Sequence, residues 1–255
     1  MAIDNHGLIT VPVLKTFQAA FRPLVKKALE MLRADELIHS VYVYGSVQAG
    51  TAREEISDLD MTVVLNRHPL SEDQERLSAI KEALEQQYPV ISGVDFDTGA
   101  LEDVLDPENQ LSWGYWLKHH CVCVYGEDLR DHFHAFRPSR EISISVNGDF
   151  MSALDGYIQQ LTPDLSLPQR LRQQRAAARK AIRATSILRG REDTDWPMTL
   201  EEHALKFNER YPALAEEMDY LLGISHRPRG DIMTFASRVY TFSYWLNAEF
   251  STRSR

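Results

Sequence analysis

The stretch YGSVQAGTAREEISDLDMTVVL, from Tyr44 to Leu65, places polar and acidic groups where a half-buried strand ordinarily has none. Asp58 and Asp60 lie one residue apart beside an apolar run, so in extended backbone both carboxylates leave the chain on the same side. Two such carboxylates repel and raise each other's pKa. A divalent cation reverses that relation by supplying positive charge to both. Hard oxygen donors suit Mg2+, which keeps several waters and takes further oxygens from a substrate phosphate. Gly45-Ser46, where the preceding apolar run ends, offers close backbone approach, exposed N–H groups and a hydroxyl, the features that hold a phosphate. A phosphate cradle and an acidic pair on adjacent strands point to phosphoryl or nucleotidyl transfer.

The elements that would position these groups follow from periodicity. Leu14, Phe17, Phe21, Leu24, Ala28 and Leu32 recur at three- and four-residue spacing and predict a helix over 12–34. LIHSVYVY (37–44) and LDMTVVL (59–65) are β-branched or apolar runs of strand length. Ser71 with Gln74 reads as a capping box opening a helix that carries Leu77, Ile80 and Leu84. PVISGVDFDTG (89–99) reads as a third strand, a helix follows over about 107–119, and CVCVY (121–125) is a short fourth strand ended by Gly126. Alternating strands and helices predict one mixed sheet covered by helices. Beyond Pro138 the strand signals fade, and Ile232, Phe235, Val239, Phe242, Leu246 and Phe250 form one apolar stripe on a final helix. The expected organisation is therefore an α/β (α+β) domain over 1–138 and an all-α helical bundle domain over 139–255.

Gly-Ser, eleven intervening residues, and then Asp-x-Asp resembles the signature of the nucleotidyltransferase superfamily with the polymerase-beta-like fold. QAGTAREEIS is similar to the small-residue run, with its Arg and Ser, of the branch acting on small molecules, and VCVYGEDL (122–129) resembles the Tyr-Gly segment closing the catalytic domain there. With a helical second domain, the likeness is to aminoglycoside nucleotidyltransferases of the streptomycin/spectinomycin type. That resemblance implies transfer of a nucleotide monophosphate, AMP from ATP or its equivalent from another NTP, to a hydroxyl of a small molecule. It implies two Mg2+ ions held by Asp58, Asp60 and a third acid. Asp95 is preferred as that acid, because the third strand of the family reads apolar-Asp-apolar as VDF does. Asp97 is the reserve and Glu102 a more distant candidate. Gly45, Ser46 and Arg53 would hold the nucleotide. The resemblance also puts Lys180 and Arg183, from the helical domain, on the triphosphate side. In one place the chain departs from the pattern: Thr199-Leu200 stands where a Ser-Lys pair is expected, with Lys206 as a shifted substitute, and this leaves the acceptor open.

Composition narrows the alternatives. The 255 residues carry a net charge of −9, which argues against a general nucleic-acid binder, since phosphate backbones are held by clustered Lys and Arg. A basic run does exist: residues 169–191 hold eight bases and no acid, with Arg172, Arg175, Arg179 and Arg183 on one helical face. It lacks neighbouring aromatics for base stacking. A solvated or internally paired face is the plainer reading for most of these arginines. Glu201 and Glu202 could face a cationic acceptor, or form the first turn of a helix capped by Thr199, which is the simpler view. KHHCVCVYG (118–126) offers zinc ligand types without a second cysteine cluster, so a buried strand is favoured over a metal site. Two lone cysteines, no basic-then-apolar leader and no long apolar run predict a cytoplasmic protein without membrane partners. The competing functions are nucleotidylation of a protein or a tRNA, and a nucleotide-binding module without turnover.

Overall fold

The computed structural model describes residues 3–253, which form two compact units: residues 10–136, and residues 137–253 together with residues 3–9. The first unit is built on a four-stranded sheet in the order β3-β2-β1-β4, with β1 Ile38–Tyr44, β2 Leu59–Leu65, β3 Val94–Ala100 and β4 Val122–Gly126. β1 runs antiparallel to β2 and to β4, whereas β2 and β3 are parallel, so the sheet is mixed. One face carries Val41, Val43, Leu59, Met61 and Val63, buried against the helices α1 (Arg22–Leu32) and α3 (Ser71–Gln87). The other face is sealed around Tyr42 and Val64 by Val104, Leu117, Cys121, Leu129 and Phe133.

Several elements differ from the sequence expectation, each for a local reason. The first helix begins at Arg22 rather than near residue 12. Pro23 fits the first turn, where no N–H is needed, but it would break a helix running through it. Upstream carbonyls instead take other partners: Val13 accepts from Gln48 Nε2 at 3.2 Å and Pro12 from Arg130 Nη1 at 3.3 Å. At α3, Ser71 is already helical. The helix is capped by Asp73, whose Oδ2 accepts from the Leu70 N–H at 2.7 Å while Arg67 and Arg76 hold the same carboxylate at 2.6 and 2.7 Å. β3 starts only at Val94, because residues 89–93 form the turn that receives the loop before β2. The helix expected over 107–119 divides into a 3-10 turn, a π turn over Gln110–Gly114 and α5 (Tyr115–His120), and a short helix not expected, α4 (Leu101–Leu105), precedes it.

The second unit contains α6 (Arg140–Asn147), α7 (Phe150–Gln159), α8 (Leu167–Ala184), α9 (Leu200–Arg210), α10 (Ala215–His226) and α11 (Ile232–Arg253). Ala177, Ala178, Ala181 and Ala184 line the buried side of α8, where small side chains let α7 and α10 approach closely. Phe235, Val239, Phe242 and Leu246 are the buried stripe of α11. Thr199 caps α9, accepting from the Glu202 N–H at 3.1 Å while Glu202 Oε2 accepts from the Thr199 N–H at 3.3 Å, so Glu202 belongs to the helix start. Among the described residues no helix is long and apolar enough to cross a membrane.

Candidate functional site

The site is assembled where β1 ends and β2 begins. Sheet register puts Tyr44 opposite Asp60 across β1 and β2, Asp60 opposite Asp95 across β2 and β3, and Thr62 opposite Asp97. Residues directly paired in register share a face, so Tyr44, Asp60, Asp95 and Asp97 project together, and Asp58 immediately precedes β2. This is the face of Tyr42 and Val64, but at the end that the covering helices leave open: Asp58, Asp60 and Asp97 are half-buried and Asp95 is exposed. An apolar strand tolerates these acids because they sit at its mouth.

Gly45 makes the approach possible. Its φ of +69° turns the chain sharply from β1 into the short helix α2 (Gly45–Ala49), and a Cβ at this position would run into the Asp60 carboxylate. The glycine and the second aspartate of the motif, fifteen positions apart in sequence, are thus in contact in space. The following loop is pinned at both ends. Arg53 N–H donates to Ser57 Oγ at 2.9 Å, Ser92 N–H to the Ser57 carbonyl at 2.9 Å, and Leu59 N–H to the Gly93 carbonyl at 2.9 Å. These bonds deliver Asp58 to the start of β2. The Arg53 side chain lies exposed on that loop.

Behind the open acids lies a second, drier layer. Tyr44 Oη donates to Asp97 Oδ2 at 2.7 Å. The Tyr44 ring meets Trp116 edge-on with centroids 4.8 Å apart, and Trp116 Nε1 donates to Thr62 Oγ1 at 3.0 Å. Burial pushes the Tyr44 hydroxyl far above its ordinary range, and the charges of Asp97, Asp60 and Asp95 push it further, so it remains a donor. Burial also raises the Asp97 carboxyl; Asp95's charge adds to this and the Tyr44 hydrogen bond opposes it. Asp95, by contrast, has its side chain 61% exposed, with Lys81 Nζ 3.9 Å away. Among the described residues, no three His, Cys, Asp or Glu side chains are already grouped as ligands of an ion. The donor set itself suits Mg2+: carboxylates on adjacent strands, and a missing Cβ that lets one of them lie against the backbone.

The remaining sequence candidates lie elsewhere. Lys180 and Arg183 are on α8, in the helical unit, where the Lys180 ammonium pairs with Asp149 at 2.6 Å. Lys206, the shifted substitute on α9, pairs with Asp195 at 3.0 Å and Glu209 at 3.2 Å. Together with Arg189, Asp193, Arg210 and His203 it lines a cleft of about 260 Å³ within the helical unit. Burial, together with the charges of Arg183 and Arg189, holds His203 down to about 4. The thiol of Cys121 is buried beside Thr62 Oγ1 at 3.6 Å, and Cys123 Sγ is directed at the Tyr125 carbonyl at 3.4 Å. Sequence reasoning missed Tyr44 and Trp116, since neither hydroxyl nor indole bears on the Asp-x-Asp pattern until the strands are paired.

Comparison with known proteins bears on the domain that carries these residues and on the fold. Residues 25–96 match the family model of the nucleotidyltransferase domain, a stretch running from α1 into β3 that includes Gly45, Ser46, Asp58, Asp60 and Asp95. No curated protein matches the chain in sequence. Among solved structures, the fold is similar to that of spectinomycin adenyltransferase AAD(9) from Enterococcus faecialis, determined with ATP and spectinomycin. That match has a TM-score of 0.56 at 14% identity and covers 90% of this chain and 99% of the other. Residues 25–96 therefore carry the match to a nucleotidyltransferase domain, and the chain shares the fold of an adenyltransferase.

Proposed function

We propose that this enzyme transfers AMP from ATP, in a Mg2+-dependent reaction, to a hydroxyl of a small polyol or aminoglycoside-like acceptor. The observation that carries the reading is the register pairing Asp60 with Asp95, with the Cβ-less Gly45 against Asp60. Supporting it are the domain match over residues 25–96 and a structural neighbour solved with ATP and an aminocyclitol.

In this reading Asp58, Asp60 and Asp95 would hold up to two Mg2+ ions, which when bound would neutralise phosphate charge and lower the pKa of the attacking hydroxyl. The protein's own groups do the rest. The Gly45–Ser46 turn would let backbone N–H groups and the Ser46 hydroxyl approach the phosphates, and Arg53 is an exposed charge for the same anion. Asp95, the most exposed of these acids, would either serve the second ion or accept the proton of the acceptor hydroxyl. Lys180 and Arg183 are kept as triphosphate candidates on the strength of the family resemblance alone. The acidic balance of the chain suits a cationic acceptor better than a nucleic acid. A cytoplasmic setting is consistent with two unpaired cysteines.

The test is pyrophosphate release from each NTP with Mg2+ across a panel of aminoglycosides, aminocyclitols and polyols, beside Asp60→Asn. Acceptor-dependent release that drops at least about 10²-fold in the variant is expected, since that change removes a charge from the reacting centre. ATP binding without release across the panel would remove the small-molecule reading. Labelling of a protein acceptor would then replace it.

A further inference from the structure

The acidic face contains one carboxylate more than the reading above uses. Asp97 shares the face of Asp60 and Asp95, yet it is withdrawn into the protein and already committed to a short hydrogen bond. Its partner comes from two strands away. With the order β3-β2-β1, the Tyr44 side chain must cross β2, between the positions of Asp60 and Thr62, to reach Asp97 on β3. The crossing is closed into a ring. Thr62 is paired with Asp97 in register, Trp116 is bonded to Thr62, and the Trp116 ring abuts Tyr44.

The location of the crossing gives it a consequence. Tyr44 is the residue before Gly45, so whatever fixes the Tyr44 side chain also fixes where the chain leaves β1 and enters the Gly45–Ser46 turn. Asp60 lies between the crossing and that turn, with its carboxylate against Gly45 and its backbone opposite Tyr44. A one-ångström shift in a reacting group lowers rate by about 10²-fold, so this anchoring bears on turnover as well as on stability.

We propose that Tyr44 and Asp97 form a clamp across β2 that positions Asp60 and the Gly45–Ser46 turn, Asp97 serving as acceptor for Tyr44 and not as the third carboxylate of the reacting centre. This rests on the nucleotidyl-transfer reading for its effect on rate, but the clamp itself is a property of the free protein. Asp97→Asn keeps an oxygen acceptor and loses the charge. Tyr44→Phe keeps the ring and loses the donor. Asp97→Leu loses both acceptor and charge.

The experiment is a double-variant cycle on Tyr44→Phe and Asp97→Leu, read by urea unfolding of metal-free, nucleotide-free protein and by kcat and KM for pyrophosphate release. In unfolding, the double variant is expected to be no less stable than Asp97→Leu alone, because one shared bond is lost once. Independent, additive losses overturn the clamp. In kinetics, Tyr44→Phe and Asp97→Leu are each expected to lower kcat about 10- to 100-fold with little change in KM. Asp97→Asn is expected to restore most of that loss. An Asp97→Asn variant as inactive as Asp60→Asn overturns the assignment and makes Asp97 a reacting carboxylate. Should Asp97→Leu not fold, Tyr44→Phe against Asp97→Asn decides the same question. If the wild-type protein releases no pyrophosphate, the functional reading fails while the unfolding cycle still decides the clamp.

Discussion

Two glycines separated by four residues offer a controlled test of how the motif works. Gly45 and Gly50 both have positive φ, +69° and +74°, and stand at the two ends of α2. An alanine at either position meets the same backbone penalty, about 1–2 kcal/mol for a left-handed conformation. Their surroundings differ. A Cβ at Gly50 meets nothing within 4 Å, whereas at Gly45 it collides with the Asp60 carboxylate. Gly50→Ala should therefore lower the melting temperature by about 2–4 °C per kcal/mol and leave kcat within a few-fold of wild type. Gly45→Ala carries the same backbone term plus the displacement of Asp60. A displacement of about 1 Å in a group at the reacting centre predicts a further loss near 10²-fold in kcat. The assay is pyrophosphate release paired with thermal unfolding on both variants. If Gly45→Ala and Gly50→Ala lose activity equally, contact between the turn and Asp60 has no part in turnover and the reasoning fails. A loss at Gly45 that tracks only its fall in stability would say the same.

Further outcomes follow from the acids and from the helical unit. EDTA should abolish pyrophosphate release and Mg2+ restore it; Asp58→Asn should raise the Mg2+ concentration giving half-maximal rate, and an unchanged Mg2+ dependence would remove Asp58 from the ligand set. His203, held down to about 4 from an ordinary 6.5, stays neutral when folded and takes up a proton when unfolded between those values. The unfolded chain then binds more protons, so stability falls as pH drops through that window, by ~3 kcal/mol at most, and is unaffected above it. In His203→Gln this part of the acid limb of urea unfolding should flatten; an unchanged slope from pH 6.5 to 4 would show that the imidazole does not titrate as its burial implies.

What the sequence disclosed about this site depended on whether local pattern or strand pairing decides the question. The strand carrying Asp60 was legible from its apolar run LDMTVVL, and β2 spans those residues, with Asp58 just before it. The apolar stripe of α11 was legible for the same reason at helical spacing, and Phe235, Val239, Phe242 and Leu246 are all buried. The start of α1 was not, because Leu14 and Phe17 continue the periodicity while Pro23 and the carbonyl partners of Pro12 and Val13 forbid a helix through them. The single helix expected over about 107–119 is replaced by a 3-10 turn, a π turn and the short α5. The choice between Asp95 and Asp97 could not be made from spacing at all. Alternation puts both on one face, and only the register across β2 separates them.

That register also explains how one sheet face serves two opposed requirements. Carboxylates that bind a cation must be ionised and wet, yet they must be held by a framework that excludes motion, which in proteins means buried and packed. The sheet meets both by grading the face along its strands. Val64 and its partner Ser40 are fully buried; one pair further, in the row of Tyr42, Thr62 and Asp97 are polar but bonded to Trp116 and Tyr44; one pair further still, Asp60 and Asp95 reach the open end. Asp97 marks the boundary. If it were as exposed as Asp95, Tyr44 would have no fixed partner and the turn after it no anchor. If it were an apolar residue, the Tyr44 hydroxyl would be buried without an acceptor, at roughly 1–3 kcal/mol. A half-buried acid bonded to a tyrosine satisfies the inner layer and still faces the charged outer one, so the same side chain that looks like a spare ligand in the sequence is better placed in the fold to hold the ligands still.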